Sequence, residues 1–372
     1  MNKQGWTYKK FEDCLVKAAK AKQVQTSEYN SGSKYPIISQ EDKMVSGYCD
    51  DDSLLYHIDN PVVIFGDHTR VLKYVDFDFV VGADGVKILI PKEFLKAKFL
   101  LYYLRWYKVP SLGYSRHYKL LKEIVLPVPP VAEQERIVAE LDLLSGIIEK
   151  KKEQLKAYDQ LAQSIFYTMF GDPIDNPKGW ETKKFGEIAS FKNGLNYHPK
   201  EDGISIKCIG VGDFQDRNEL RDFENIRNVT IDEMVDESYY LKDGDIIIVR
   251  SNGSKELVGR NMIVYPNLKN VTYSGFCIRC RLSSSSIQPT ILSRILSDRS
   301  TMTVLRQEGR GCNISNINQK ILSSLQIILP PLSLQQEFAE KIEAIERQKA
   351  LVQQSIEETQ TMFDCTMDKY FG

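Results

Sequence analysis

This chain writes one long stretch of sequence twice, and that duplication limits what it can fold into more than any other feature. "VLPVPPVAEQERIVAELDLLSGIIEKKKEQLKAYDQLAQSIFYTMFGD" (125–172) returns near the C-terminus as "IILPPLSLQQEFAEKIEAIERQKALVQQSIEETQTMFDCTMDKYFG" (327–372). The match is gap-free at an offset of 201. Pro129-Pro130 falls on Pro330-Pro331, Gln134 on Gln335, and Phe170-Gly171 on Phe371-Gly372. A second echo opens each half: "GWTYKKFED" (5–13) and "GWETKKFGE" (179–187), at an offset of 174, so the second intervening segment is 27 residues longer. The approaches to the prolines, "LLKEIVLPVPP" and "ILSSLQIILPP", pair Leu121 with Leu322 and Ile124 with Leu325. Two copies make an internal duplication, not a solenoid. The expected organisation is a globular segment 1–127, a helix 128–172, a second globular segment 173–328 and a second helix 329–372.

Each helical segment spaces apolar residues at alternating steps of four and three. The first carries Ile137, Leu141, Leu144, Ile148 and Leu155; the second carries Phe338, Ile342, Ile345, Val352 and Ile356. That 3.5-residue repeat is a coiled-coil seam. A helix of roughly 38 residues is a rod of about 57 Å and cannot bury such a stripe alone. The two copies are therefore expected to pack on each other, the alternative being that each packs on its own globular segment. Ser333 with Gln336 reads as a capping box, and Gly171 followed by Pro173 as the stop of the first helix.

The globular segments read as mixed. "NPVVIFGD", "DFDFVVGADGVKILIP" and "EIVLPVP" are strand-like and "KEFLKAKFLLYYLRWY" helical. "GDIIIVRS", "NMIVYP" and "TYSGFCIRCRL" answer as strands, and "PTILSRILSDRSTMTVLRQ" as one or two helices. The expected class is α+β: two duplicated domains of curved, mainly antiparallel sheet with appended helices, joined by two long helices.

Charge is unevenly spread. Lys and Arg outnumber Asp and Glu by 19 to 15 in 1–127 and by 21 to 19 in 173–328, whereas acidic residues lead by 8 to 5 and 8 to 4 in the helical segments. Local basic patches on the globular segments therefore leave phosphate binding open. There is no run of 18 apolar residues and no signal-peptide pattern, and seven cysteines are scattered at irregular spacings. These point to a cytoplasmic chain with reduced thiols and no membrane partner.

Catalytic patterns are missing. There is no G-x-x-x-x-G-K-S/T phosphate loop, and "IGVGDF" lacks a third glycine. "DNPV" and "DNPK" lack the second proline and the aromatic residue that hold a flipped base in adenine methyltransferases. Cys277 and Cys280 form a C-x-x-C without a second pair, "CDDD" (49–52) reads as an acidic turn, and Glu149 to Lys151 lies inside the heptads. The chain reads as a binder with no cofactor of its own.

What remains is polar loops suited to DNA. "RSNGSKELVGR" offers Arg250, Ser251, Asn252, Ser254 and Lys255, and "RQEGRGCNISNINQK" offers Arg310, Asn313, Ser315 and Asn316. In the first segment "FGDHTRVLKYV" offers His68, Arg70 and Lys73, and "LGYSRHYKLL" offers Ser115, Arg116 and His117. Arg suits guanine and Asn suits adenine in the major groove, while Lys, Ser and backbone amides suit phosphates.

With "GWTYKKFED" and "GWETKKFGE" opening two variable segments, "GDIIIVRSNGSKELVGR" and "GCNISNINQKIL" within the second, and a double-proline helix closing each, the chain resembles the specificity subunit of a type I restriction-modification system. The likeness covers nearly its whole length. It implies two target-recognition domains, each reading half of a bipartite site in double-stranded DNA, with an antiparallel coiled coil setting the gap. It implies two modification subunits as partners, with restriction subunits as a further open partner. S-adenosylmethionine, ATP and Mg are expected on those subunits. A bridge of about 57 Å bounds the gap at roughly 17 base pairs. The rival reading is a coiled-coil adaptor that binds only protein.

Overall fold

The computed structural model describes residues 5–32, 34–83, 85–113, 115–197, 203–214, 217–232, 235–254, 256–308 and 316–372. They divide into two compact units, residues 1–154 with 352–372, and residues 155–351. The first half of the chain contributes strands β1 (Thr7–Lys10), β2 (Leu15–Val16), β3 (Gln23–Val24), β4 (Tyr35–Ile38), β5 (Gly47–Cys49), β6 (Leu55–Tyr56), β7 (Val62–Gly66), β8 (Leu72–Val75), β9 (Phe79–Gly82), β10 (Val86–Pro91) and β11 (Val125–Val128). Its helices are α1 (Ala97–Tyr107), α2 (Tyr118–Leu121) and the long α3 (Val131–Phe170). The second half contributes β12 (Glu181–Lys184), β13 (Ala189–Asn193), β14 (Ile204–Ile209), β15 (Glu219–Leu220), β16 (Asn228–Ile231), β17 (Asp245–Val249), β18 (Asn261–Val264), β19 (Val271–Tyr273), β20 (Cys277–Leu282) and β21 (Gln326–Leu329). Its helices are α4 (Phe185–Ile188), α5 (Pro289–Ser297), α6 (Arg299–Glu308), α7 (Gln319–Ser324) and the long α8 (Leu332–Phe371).

Both units follow one plan. The central sheet runs β2-β10-β7-β8 in the first and β13-β20-β17-β18-β15 in the second. "VVIFG" and "DIIIV" are buried along their whole length, as continuous apolar strands must be when both faces are covered. The period of two divides each strand between two cores. Val63 and Phe65 pack with Phe99 and Leu100 of α1, whereas Val62 and Ile64 pack with Ile38 and Phe79. Likewise Ile246 and Ile248 pack with Ile291 and Leu292 of α5, whereas Ile247 and Val249 pack with Tyr273. Cys280 and Cys277 fall on these two opposite faces, and burial pushes the Cys277 thiol up to about 12.

The sheet arrangement is richer than one mainly antiparallel layer. Each unit adds a second sheet in which β4 or β14 pairs parallel with β9 or β19 and antiparallel with β5 or β16. Strands β9 and β19 return to pair with a segment laid down more than forty residues earlier, and local apolar patterning does not specify that partner. The opening echo pairs with the strand before the prolines in the same register twice, Thr7 opposite Val128 and Glu181 opposite Leu329.

The long helices start directly after the double prolines. The Pro130 carbonyl accepts from the Glu133 and Gln134 N–H groups, and the Pro331 carbonyl from those of Leu334 and Gln335. Ser333 therefore lies inside the first turn, and the expected capping box does not begin the helix. Gly171, at φ 79°, ends α3. In the first unit the 131–154 part of α3 runs antiparallel to the 352–371 part of α8: Arg136 donates to the Tyr370 hydroxyl (3.1 Å), and Lys151 bonds Ser355. In the second unit Lys349 donates to Asp159 at 2.8 Å, and Phe338 meets Phe166 and Phe170 with ring centroids 5.8 and 5.3 Å apart.

Of the ten seam residues, Ile137, Leu141, Leu144, Ile148, Phe338, Ile345 and Ile356 are buried and Leu155, Ile342 and Val352 half-buried. The seam also packs on the globular segments: Ile137 and Leu141 share a core with Phe99 and Leu100, and Phe338 shares one with Phe185 and Ile291. The two packings that the sequence left as alternatives occur together.

One buried side chain sets the geometry at each helix start. Gln134 and Gln335 are 0% exposed. Gln134 accepts from the Lys96 N–H (2.8 Å) and donates to the carbonyls of Phe94 and Pro129, both at 2.8 Å. Gln335 accepts from the Gln288 N–H (2.8 Å) and donates to Ser286 and Pro330, again at 2.8 Å. Lys96 and Gln288 are the N-caps of α1 and α5, so the same carboxamide fastens the double proline to the start of α1 in the first unit and of α5 in the second.

Candidate nucleic-acid interface

Where the chain leaves the central strand, three backbone hydrogen bonds recur. The Asp67 N–H donates to Gly85 (2.7 Å), as Arg250 does to Phe276 (2.9 Å). The Gly66 N–H donates to Val71 (2.8 Å), as Val249 does to Arg260 (2.8 Å). The Asp67 carbonyl accepts from His117 (2.8 Å), as the Arg250 carbonyl does from Ile317 (2.9 Å). Asp67 and Arg250 therefore hold equivalent positions, and "FGDHTR" and "VRSNGS" are equivalent loops. The loop occupies 67–70 in the first unit and 250–259 in the second, six residues more. In each unit the structure joins the two loops that the sequence singled out.

In the second unit the join is an antiparallel bridge between Ser251 and Asn316. Asn316 and Ser254 are exposed, and Arg250, Ser251 and Asn252 half-buried. Asn252 Oδ1 accepts from the Ser254 N–H (2.8 Å), curling the loop in a local turn. The Arg250 Nε is enclosed and has no hydrogen-bond partner among the described residues. Asn318 caps α7 by accepting from the Ile321 N–H (2.9 Å), and Gln319 donates to Asn193 (3.0 Å). Lys255, Arg310, Asn313 and Ser315 lie outside the described residues.

In the first unit Arg70 and Arg116 are exposed and His68 and Ser115 half-buried. Arg70 takes a left-handed backbone at φ 63° and its Nη1 donates to the Val109 carbonyl (3.2 Å). The His68 N–H donates to Gln40 Oε1 (3.2 Å).

Two candidates are turned inward. His117 is 0% exposed; its Nε2 accepts from the Leu112 N–H (2.9 Å), so Nδ1 carries the proton and donates to the Asp67 carbonyl (2.9 Å). Lys73 is 4% exposed and its Nζ donates to the Lys43 carbonyl (2.5 Å); burial lowers its pKa. Both satisfy carbonyls of the fold and present no group to a duplex. Their acceptors come from residues 30 and 50 positions away, which spacing does not show.

Asp67, which no sequence pattern marks, is a 2% exposed carboxylate that accepts from the Tyr118 N–H (2.7 Å) and lies 3.7 Å from Lys87. The offset of 201 that pairs Gln134 with Gln335 is the sequence signal for their shared role. The acidic turn is a small cap: Asp51 accepts from the Ser53 N–H (2.9 Å), as Asp236 does from Ser238 (2.8 Å). Among the described residues no group of three or more His, Cys, Asp or Glu is placed to hold a metal, and no helix is long and apolar enough to cross a membrane.

Comparison with known proteins bears on this geometry. A family model described as type I restriction modification DNA specificity domain matches residues 3–157 and 177–360. The chain is similar to the type I restriction enzyme StySPI specificity subunit of Salmonella potsdam, 26% identical over 303 residues, covering 75% of this chain and 63% of that protein. It is similar to the EcoKI specificity subunit of Escherichia coli strain K12, 22% identical over 285 residues, covering 69% and 60%. The chain thus spans less than two thirds of the length of these curated relatives. Among solved structures, the S subunit of the type I restriction-modification system from M. genitalium shares the fold, with a TM-score of 0.56 at 15% identity over 99% of this chain and 96% of that one.

Proposed function

Because the chain belongs to the type I restriction modification DNA specificity family, we propose that it is the sequence-reading subunit of such a system, binding a bipartite site in double-stranded DNA. The observation that carries this reading is the recurrence of one two-loop junction in both units with different side chains on it. A shared scaffold with unlike loops suits two different half-sites. Arg250, Asn252, Asn316, Arg70 and Arg116 hold the chemistry for base edges and phosphates. The chain contributes no catalytic group; two modification subunits supply S-adenosylmethionine and methylate adenine, and restriction subunits, where present, supply ATP and Mg chemistry. The long helices hold those subunits and set the gap.

The test is selection from a random duplex library with the modification subunit present. The expected result is enrichment of two short sequences at a fixed separation. Arg250→Ala and Asn316→Ala should relax one half-site only, by about 1–3 kcal/mol each if they touch bases. Equal losses on every sequence would reassign them to phosphates, and no enrichment of any split sequence would favour the protein-binding adaptor.

A further inference from the structure

Phe276 is the most exposed aromatic ring among the described residues, at 61% against 40% for Tyr8, the next. A single apolar side chain on a surface calls for no explanation by itself; the place and the mounting of this one do. Its carbonyl accepts the Arg250 N–H at 2.9 Å, so it stands beside the residue that opens the loop 250–259. Ser251 of that loop pairs with Asn316. Phe276 therefore belongs to the same junction as Arg250, Asn252 and Asn316.

The turn that carries the ring is held on both sides. The Cys277 N–H donates to the Ser274 carbonyl (2.9 Å), closing the turn 274–277. Outside it, the Ser274 N–H donates to Ile209 (2.9 Å), the Gly275 N–H to Leu195 (2.7 Å), the Leu195 N–H to Tyr273 (2.8 Å) and the Gly194 N–H to Cys277 (3.0 Å). A Cβ on Gly194 would run into the Ser274 carbonyl, so glycine permits this close approach. Asn193, at the end of β13, accepts from Gln319 (3.0 Å), which ties the same strap to the segment following Asn316. A ring on so fixed a backbone loses little freedom when it meets a partner.

The first unit shows that the fold needs no side chain at this position. The bond from Asp67 makes Gly85 the equivalent residue. It lies at φ 94°, and a Cβ there would be 2.8 Å from Gln40 Oε1 and 2.9 Å from His68 Cδ2. Polar side chains crowd the position in one copy, and an exposed ring occupies it in the other.

The chemistry of the duplex selects what such a ring can meet. The major-groove edges offer Arg and Asn their polar partners, and the apolar group among them is the 5-methyl of thymine. We infer that Phe276 is a specificity-determining residue that reads the methyl group of one thymine in the half-site of the second unit. The inference rests on the DNA-reading function proposed above. Gly85 gives the first unit no counterpart, so the two half-sites differ in this requirement.

The test is a cycle between ring and methyl, on the full chain with the modification subunit present. After library selection, each thymine of the selected site is replaced in turn by deoxyuridine, which lacks only the methyl group. Affinity is then measured for the parent, Phe276→Ala and Phe276→Leu. The parent should bind about fourfold more weakly at one position, the factor for one buried methyl-sized group. Phe276→Ala should bind the thymine duplex more weakly by at least that factor and lose nothing further on uracil. Phe276→Leu keeps an apolar side chain and should keep the preference for thymine. The ring is exposed, so unfolding midpoints should match the parent's. A parent indifferent to uracil at every position overturns the inference, and so does a uracil penalty that persists in Phe276→Ala. Weaker binding by Phe276→Ala without a uracil penalty would instead assign the ring to a wedge between base pairs. Failure to enrich any split sequence removes the proposed function and this inference with it, whereas uracil indifference on an enriched site removes the inference alone.

Discussion

Asp67 and Arg250 occupy one backbone position in two copies of a fold, and their opposite charges show how little that fold dictates at its loops. Other residues are dictated closely. Gln134 and Gln335 each satisfy one N–H and two carbonyls in the interior. Replacing either by Leu leaves those groups without partners, at about 2–3 kcal/mol, to be read as a lower urea midpoint. Asp298 is a second such point. Burial alone would raise its carboxyl, but the bonds from Ser300, Tyr167 and Gln163 prevail and hold it below the usual carboxylate range. A carboxyl depressed in the folded state adds stability above its unfolded value of about 3.9 and loses it as pH falls through the folded one. Unfolding followed from pH 6 to 2 should show Asp298→Asn losing less stability below about pH 4 than the parent chain. An unchanged acid limb would place the transition at other carboxylates.

At the scale of elements, the duplication, the long helices and the central strands were legible in the sequence. They depend on local signals: a gap-free echo, a 3.5-residue repeat and unbroken runs such as "DIIIV". The second sheet of each unit was not, because β9 and β19 choose partners distant in the chain. Nor were the inward turns of His117 and Lys73, whose polar character gives no hint of which carbonyls will take them. The equivalence of a four-residue loop with a ten-residue one emerges only from the backbone bonds that bracket them. The helices carry a further expectation. Two heptads added to α3 and two opposite them in α8 lengthen the pair by about 21 Å, and on the proposed function the preferred gap should grow by roughly six base pairs. A library selection returning the original gap would remove the helices from that role.

The whole molecule is written so that each half completes the other. In the first unit Trp106 of α1 donates to Asp368 of α8 at 2.8 Å. At the equivalent place in the second unit, Tyr167 of α3 donates to Asp298 at 2.7 Å. The bond is kept and its direction reversed. Were residues 173–372 to pair with a copy of themselves, Asp298 would face Asp368 and Lys349 would lose Asp159. Were 1–172 to do so, Trp106 would face Tyr167. Expressed together as separate tagged chains, the two halves should be recovered mainly as the mixed pair, and Asp368→Tyr in the second half should raise recovery of its self-pair. Domain exchange between related chains would then be screened by the same contact: an incoming globular segment is accepted when it brings the missing donor or acceptor, so one hydrogen bond acts as a compatibility check on recombination.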